Sequence, residues 1–142
     1  MRSLAIGDVN PVISGFFDVV HFRNTGAAFG MLSSLSDTIR PLFFYFVAIV
    51  ALFIIFYSLR KLSPDDCLHL WVLSLIAGGL FGNFTDRIRL GSVVDFLSFH
   101  WDNAQLWGVR LEWPAFNIAD SAITIAMALM VIAAFRKKGV VI

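Results

Sequence analysis

Apolar residues run without a charge through two stretches of this chain, and nearly so through a third. Residues 41–59, PLFFYFVAIVALFIIFYSL, contain no Asp, Glu, Lys or Arg and are bracketed by Arg40 and by Arg60 and Lys61. At 1.5 Å rise per residue they make roughly 28 Å of helix, close to the hydrocarbon thickness of a bilayer. A buried helix of a soluble protein shows the same pattern, but only inside a body larger than this one. Residues 67–85, CLHLWVLSLIAGGLFGNFT, form a second such run, in which Gly78, Gly79 and Gly82 suit close helix approach in lipid. Residues 121–135, SAITIAMALMVIAAF, are too short for a full crossing, and the extension back to Ala115 takes in Asn117 and Asp120. The pattern predicts membrane helices at 41–59, 67–85 and 115–135, with Asp120 at or just inside the membrane edge.

Between the helices the period changes. Residues 92–99, SVVDFLSF, and 109–113, VRLEW, read as short strands, and 16–22, FFDVVHF, as a third. Asp102, Asn103 and Gly108 then fall in a connection. Trp101, Trp107 and Trp113 lie in this region, as in an aromatic belt at headgroup level. A small extracytoplasmic β-sheet, with its loops over 12–30 and 90–114, is expected beside a three-span α-helical membrane bundle, the whole forming one domain over 1–142.

Composition narrows the class. Of 142 residues, 58% are hydrophobic and 15% charged, against about 45–50% and 25% in ordinary soluble domains. Mean hydropathy is +0.80. A water-soluble monomer, a disordered chain and a disulfide scaffold are excluded. The net charge of +1 supplies no basic face for nucleic acid. Lone Cys67 permits no internal disulfide and no multi-cysteine metal site. Dense basic clusters, Arg60 with Lys61 and Arg136 with Lys137 and Lys138, favour the cytoplasm for that side and hence a cytoplasmic C-terminus.

The few polar residues near the helices gather on the opposite side. Asn83, Asp86 and Arg87 end the second span, Asp95 follows in VVDF, Asn117 and Asp120 open the third, and Asn24 lies in NTGAAFG. Asn83 with Asp86 and Asn117 with Asp120 are each three residues apart, on one helical face. Capping explains Asp86 as readily as function does. An acid that shortens an otherwise good span is by default a functional candidate, which singles out Asp120. The apolar neighbours of Asp95 would desolvate its carboxylate. Two acids together can share a proton and act as base and acid on one water, without metal or nucleophilic side chain. His21, His69 and His100 are too scattered for a zinc motif, and no serine has a partner at useful spacing.

On these residues the chain resembles the lipoprotein signal peptidases (signal peptidase II, the bacterial aspartyl membrane proteases). The likeness lies in FFDVVHFRNTGAAFG at 16–30, GNFTDRIRLGSVVDFL at 82–97 and PAFNIADSAIT at 114–124, in that order. The resemblance implies that Asp95 and Asp120 are the catalytic pair. It implies that Asn24, Asn83, Asp86, Arg87 and Asn117 support the pair or hold substrate, and that Ala119 must stay small. It also implies cleavage of prolipoproteins just before a diacylglyceryl-modified cysteine at the outer face of the bacterial inner membrane. No cofactor or metal is implied; membrane lipid and the antibiotic globomycin, as a substrate mimic, are. The family's bundle has four helices, the first ending in an Asp-Gln-x-x-Lys-like motif that this sequence lacks, so a misassigned start or a truncation is expected.

Two rival readings have their own signatures. A transport or proton-relay subunit would place acids at several depths rather than one. An assembly factor packing on glycines 78–82 would tolerate loss of both aspartates.

Overall fold

The computed structural model describes residues 4–26, 36, 38–106 and 109–137. Contacts group the chain into two compact units, Met1–Arg40 with Asp86–Asn117, and Pro41–Thr85 with Ile118–Ile142. The first unit is built mainly of strands and the second mainly of helices.

The first unit holds an antiparallel four-stranded sheet of β1 (Val9–Ile13), β2 (Phe17–Asn24), β3 (Val93–Leu106) and β4 (Val109–Phe116), in sequence order. The sheet starts earlier than the hydrophobic pattern suggested. Every residue of β1 is exposed and Pro11 cannot donate to a ladder, so nothing in its sequence marks it as a strand, and it is accommodated only at the edge. The β1–β2 turn places Gly15 at φ +76°, with Phe16 N–H donating to Ile13 O at 3.0 Å. A positive φ there favours glycine. Asp102 and the backbone of Asn103 belong to β3, not to a connection, because β3 continues to Leu106 through an irregularity between Trp101 and Gln105. Phe17 and Phe116 each stack on Phe99, at 4.8 and 5.9 Å between centroids. Gly108, Trp107 and residues 27–30 of NTGAAFG lie outside the described residues.

Three helices are long and apolar enough to cross a membrane: α1 (Ile39–Lys61), α2 (Cys67–Leu90) and α3 (Ile118–Lys137). Ser36 Oγ accepts from Ile39 N–H at 3.3 Å at the start of α1, and Pro41 occupies the first turn, where its missing N–H costs nothing. Asp66 caps α2 by accepting the His69 N–H at 3.3 Å, and the same oxygen meets His69 Nδ1 at 2.7 Å. Gly91, at φ +71°, ends α2 with its N–H on Arg87 O, a left-handed C-terminal cap. The third helix begins at Ile118, later than the expected 115. Ala115 and Phe116 stay in β4, where Phe116 pairs with Leu97 and the ladder satisfies the backbone.

Within the second unit α2 and α3 meet closely. A Cβ on Gly79 would lie 2.5 Å from Ala119 O and 2.6 Å from Ile123 Cγ1. Val72 and Ala126 are buried here, whereas Phe46 and Phe53 are 67% and 71% exposed. Such large apolar exposure requires lipid as its solvent.

Candidate active site

Asp95, third in β3, is buried at 4% exposure. A carboxylate taken out of water is costly unless its oxygens are hydrogen-bonded, and here both are. Asn24 Nδ2 donates to Oδ2 at 3.1 Å, and Asn117 Nδ2 donates to Oδ1 at 2.9 Å. Donors on both oxygens suit an ionised carboxylate, whose oxygens only accept. Asn24 closes β2, and its own Oδ1 accepts from Gly26 N–H at 3.1 Å. That local turn fixes the amide so that Nδ2 faces Asp95. Asn117, 5% exposed, stands between β4 and α3.

Asp120 lies in the first turn of α3, where a negative charge favours the helix dipole. Asn83 of α2 donates Nδ2 to its Oδ1 at 2.9 Å. The reach depends on the small residues around it: Gly79 and Gly82 face Ala119, whose Cβ would be 3.3 Å from a Cβ on Gly82. The acids thus belong to different units, Asp95 with two asparagine amides on its carboxylate and Asp120 with one.

The other polar candidates hold the chain. Asp86 accepts the Val94 N–H at 3.1 Å, tying the C-terminal end of α2 to the strand that carries Asp95. Arg87 Nη2 donates to Gly26 O at 3.4 Å, just past Asn24. Cys67 and His69 lie in the first turn of α2, more than three turns before Asn83. Among the described residues, no group of three His, Cys, Asp or Glu could hold a metal ion.

One polar cluster is invisible in the sequence. His100, 4% exposed, has Nε2 at 2.9 Å from Asp18 Oδ2 and Nδ1 at 2.8 Å from Asp102 Oδ1. Asp18 is 82 residues from its partner, and only strand pairing brings them together. The alternation of Asp18, Ser98 and His100 on one sheet face is the signal that finds it, once the register is known.

Three helices of membrane length mark a multi-pass membrane protein. The family model described as signal peptidase (SPase) II matches residues 1–136, and the chain belongs to that family of membrane peptidases. Among its relatives, the lipoprotein signal peptidase of Syntrophotalea carbinolica is 40% identical over 96% of this chain and 79% of its own length. That of Geobacter sulfurreducens is 43% identical over 96% and 80%. Two solved bacterial membrane enzymes share the fold. One has a TM-score of 0.74 at 33% identity over 96% of this chain and 76% of its own. The other has 0.70 at 34% over 94% and 78%.

Proposed function

We propose that this chain is an aspartic endopeptidase that removes signal peptides from prolipoproteins, cutting before the diacylglyceryl-modified cysteine. Asp95 and Asp120 are the catalytic pair. The observation that carries the reading is the buried Asp95 carboxylate with an asparagine amide on each oxygen. Chain connectivity adds a bound: Asp120 follows Asn117 by three residues, so their Cα atoms lie within roughly 11 Å.

In the reaction the ionised member of the pair takes a proton from water as that water attacks the scissile carbonyl carbon. The protonated member gives its proton to the carbonyl oxygen, which leaves a gem-diol. Collapse of the gem-diol breaks the C–N bond. The leaving nitrogen takes the proton held by the first acid, and a hydroxyl proton returns to the second. Water is consumed and both carboxyls are restored. The shared proton belongs to the pair rather than to either residue.

In this reading Ala119 keeps the approach to the pair open, while Asn83, Asp86 and Arg87 support it. The chain works in the bacterial inner membrane with the acids at the outer face and the C-terminus in the cytoplasm. Globomycin occupies the pair in place of substrate.

The purified protein, incubated with a diacylated prolipoprotein, is expected to release the signal peptide. Globomycin should block the release, and the unmodified precursor should remain intact. Failure to cut the diacylated form, or equal cutting of both forms, would overturn the proposal. Asn117→Ala is expected to slow cleavage by roughly tenfold to a hundredfold, the equivalent of about 1–3 kcal/mol for a buried group left unpaired. Asn24→Ala should cost less, because Asn24 is the more exposed partner. Initial rates at saturating substrate test that order, and a reversed order would count against Asn117 as the main support of Asp95.

A further inference from the structure

Strands β2 and β3 are tied by side chains at two places, Asn24 to Asp95 and Asp18 to His100. Six residue steps separate the ties on β2 but only five on β3. The extra residue is a bulge: Val19 pairs with Leu97, while Phe22 pairs with Asp95. An inserted residue inverts the alternation of side chains beyond it. Asp18 and Asn24, six apart on β2, would share a face in a regular strand. Instead Asp18 meets His100 and Asn24 meets Asp95, and His100 and Asp95 stand five apart, on opposite faces of β3. Without the bulge the pairing of Val19 with Leu97 would extend to Asn24 opposite Ser92 rather than Val93. The amide would then leave the face that carries Asp95.

We infer that His100 is a positioning residue of the peptidase: with Asp18 and Asp102 it locks the β2 bulge and so aims Asn24 at Asp95. The imidazole is buried and has a carboxylate oxygen on each ring nitrogen, and both contacts are hydrogen bonds when both nitrogens carry protons. The backbone reinforces the lock from the β1–β2 turn, where His100 N–H donates to Phe16 O at 2.9 Å and Asp102 N–H to Gly15 O at 3.3 Å. Across the sheet His100 pairs with Glu112 of β4. A slip of β2 would have to break the His100 contact with Asp18 first, and bulges beside active sites serve this re-aiming of a side chain.

The inference rests on the proposed role of Asp95, and a double-mutant cycle separates the two. His100→Leu and Asp18→Ala are each expected to lower kcat by about as much as Asn24→Ala does, roughly five- to tenfold, with KM within about threefold, as for lost transition-state support. Asp18→Asn, which keeps an oxygen acceptor for Nε2, should restore the rate to within about threefold of the parent. Combining Asn24→Ala with His100→Leu should cost no more than about threefold beyond the worse single variant, because both act through one hydrogen bond. Multiplied losses in the double variant, or a folded His100→Leu enzyme with parental kcat, would overturn the inference while leaving Asp95 in place. An unchanged kcat in Asn24→Ala would overturn the role of Asn24 at Asp95 and the inference with it. If neither His100→Leu nor Asp18→Ala yields folded protein, the cluster is a stability element and the inference falls.

Discussion

Asp120→Asn is expected to abolish release of the signal peptide, a loss of about 10²–10⁴-fold or more for removal of a general acid–base group, while the protein still folds and inserts. The substitution is isosteric, and the new Oδ1 can accept from Asn83 Nδ2 as the carboxylate oxygen does at 2.9 Å. What disappears is the ability to take and return a proton. Asp95→Asn should be as inactive, but for a less clean reason. Both oxygens of Asp95 accept amide N–H groups, so an amide there sets one NH₂ against another. A buried unpaired donor costs about 1–3 kcal/mol, and Asp95→Asn should therefore also unfold at a lower temperature than Asp120→Asn. Cleavage and thermal unfolding measured side by side test this. Parental cleavage by either variant removes that aspartate from the mechanism; equal unfolding temperatures would contradict the amide arrangement around Asp95.

The second large effect is expected in α2. Gly79→Ala should destabilise the helical unit by about 1–3 kcal/mol, the cost of overpacking, and should reduce cleavage as well. Its Cβ would stand 2.5 Å from the Ala119 carbonyl oxygen, a backbone atom that cannot swing aside. The helices must separate there, one turn from the Asn83 hydrogen bond to Asp120. The neighbouring glycines give internal controls. A Cβ on Gly82 would lie 3.3 Å from that of Ala119, a tight but adjustable contact, whereas one on Gly78 would meet nothing within 4 Å. The order of damage should be Gly79→Ala, then Gly82→Ala, with Gly78→Ala neutral or stabilising because alanine is the better helix former. Unfolding temperatures in one detergent test the series. A Gly78→Ala variant as damaged as Gly79→Ala would show that helix approach is not what these glycines serve.

The helical part of the fold was the most legible. Residues 41–59 and 67–85 fall inside α1 and α2, because the absence of charge over a bilayer thickness is a one-dimensional property. α3 starts three residues later than its apolar pattern predicts, since Ala115 and Phe116 are as compatible with a strand as with a membrane helix. β1 carried no signal at all. Asp95 and Asp120 stood out as candidates because an acid among apolar residues is costly wherever it folds. Asn83 and Asp86 looked alike as helix-end polar residues, but one donates to Asp120 and the other accepts from the backbone of Val94.

By itself, then, the sequence determined the membrane class, the helical spans and the few acids available for chemistry, because transfer from water to lipid is a sum over residues. Only the tertiary structure decided which amide meets which carboxylate, that Gly79 is the glycine where the helices meet, and that His100 stands between Asp18 and Asp102. Those depend on register and on helix approach. One inserted residue in β2 changes the face on which Asn24 lies, and no local pattern records the strand against which that insertion is counted.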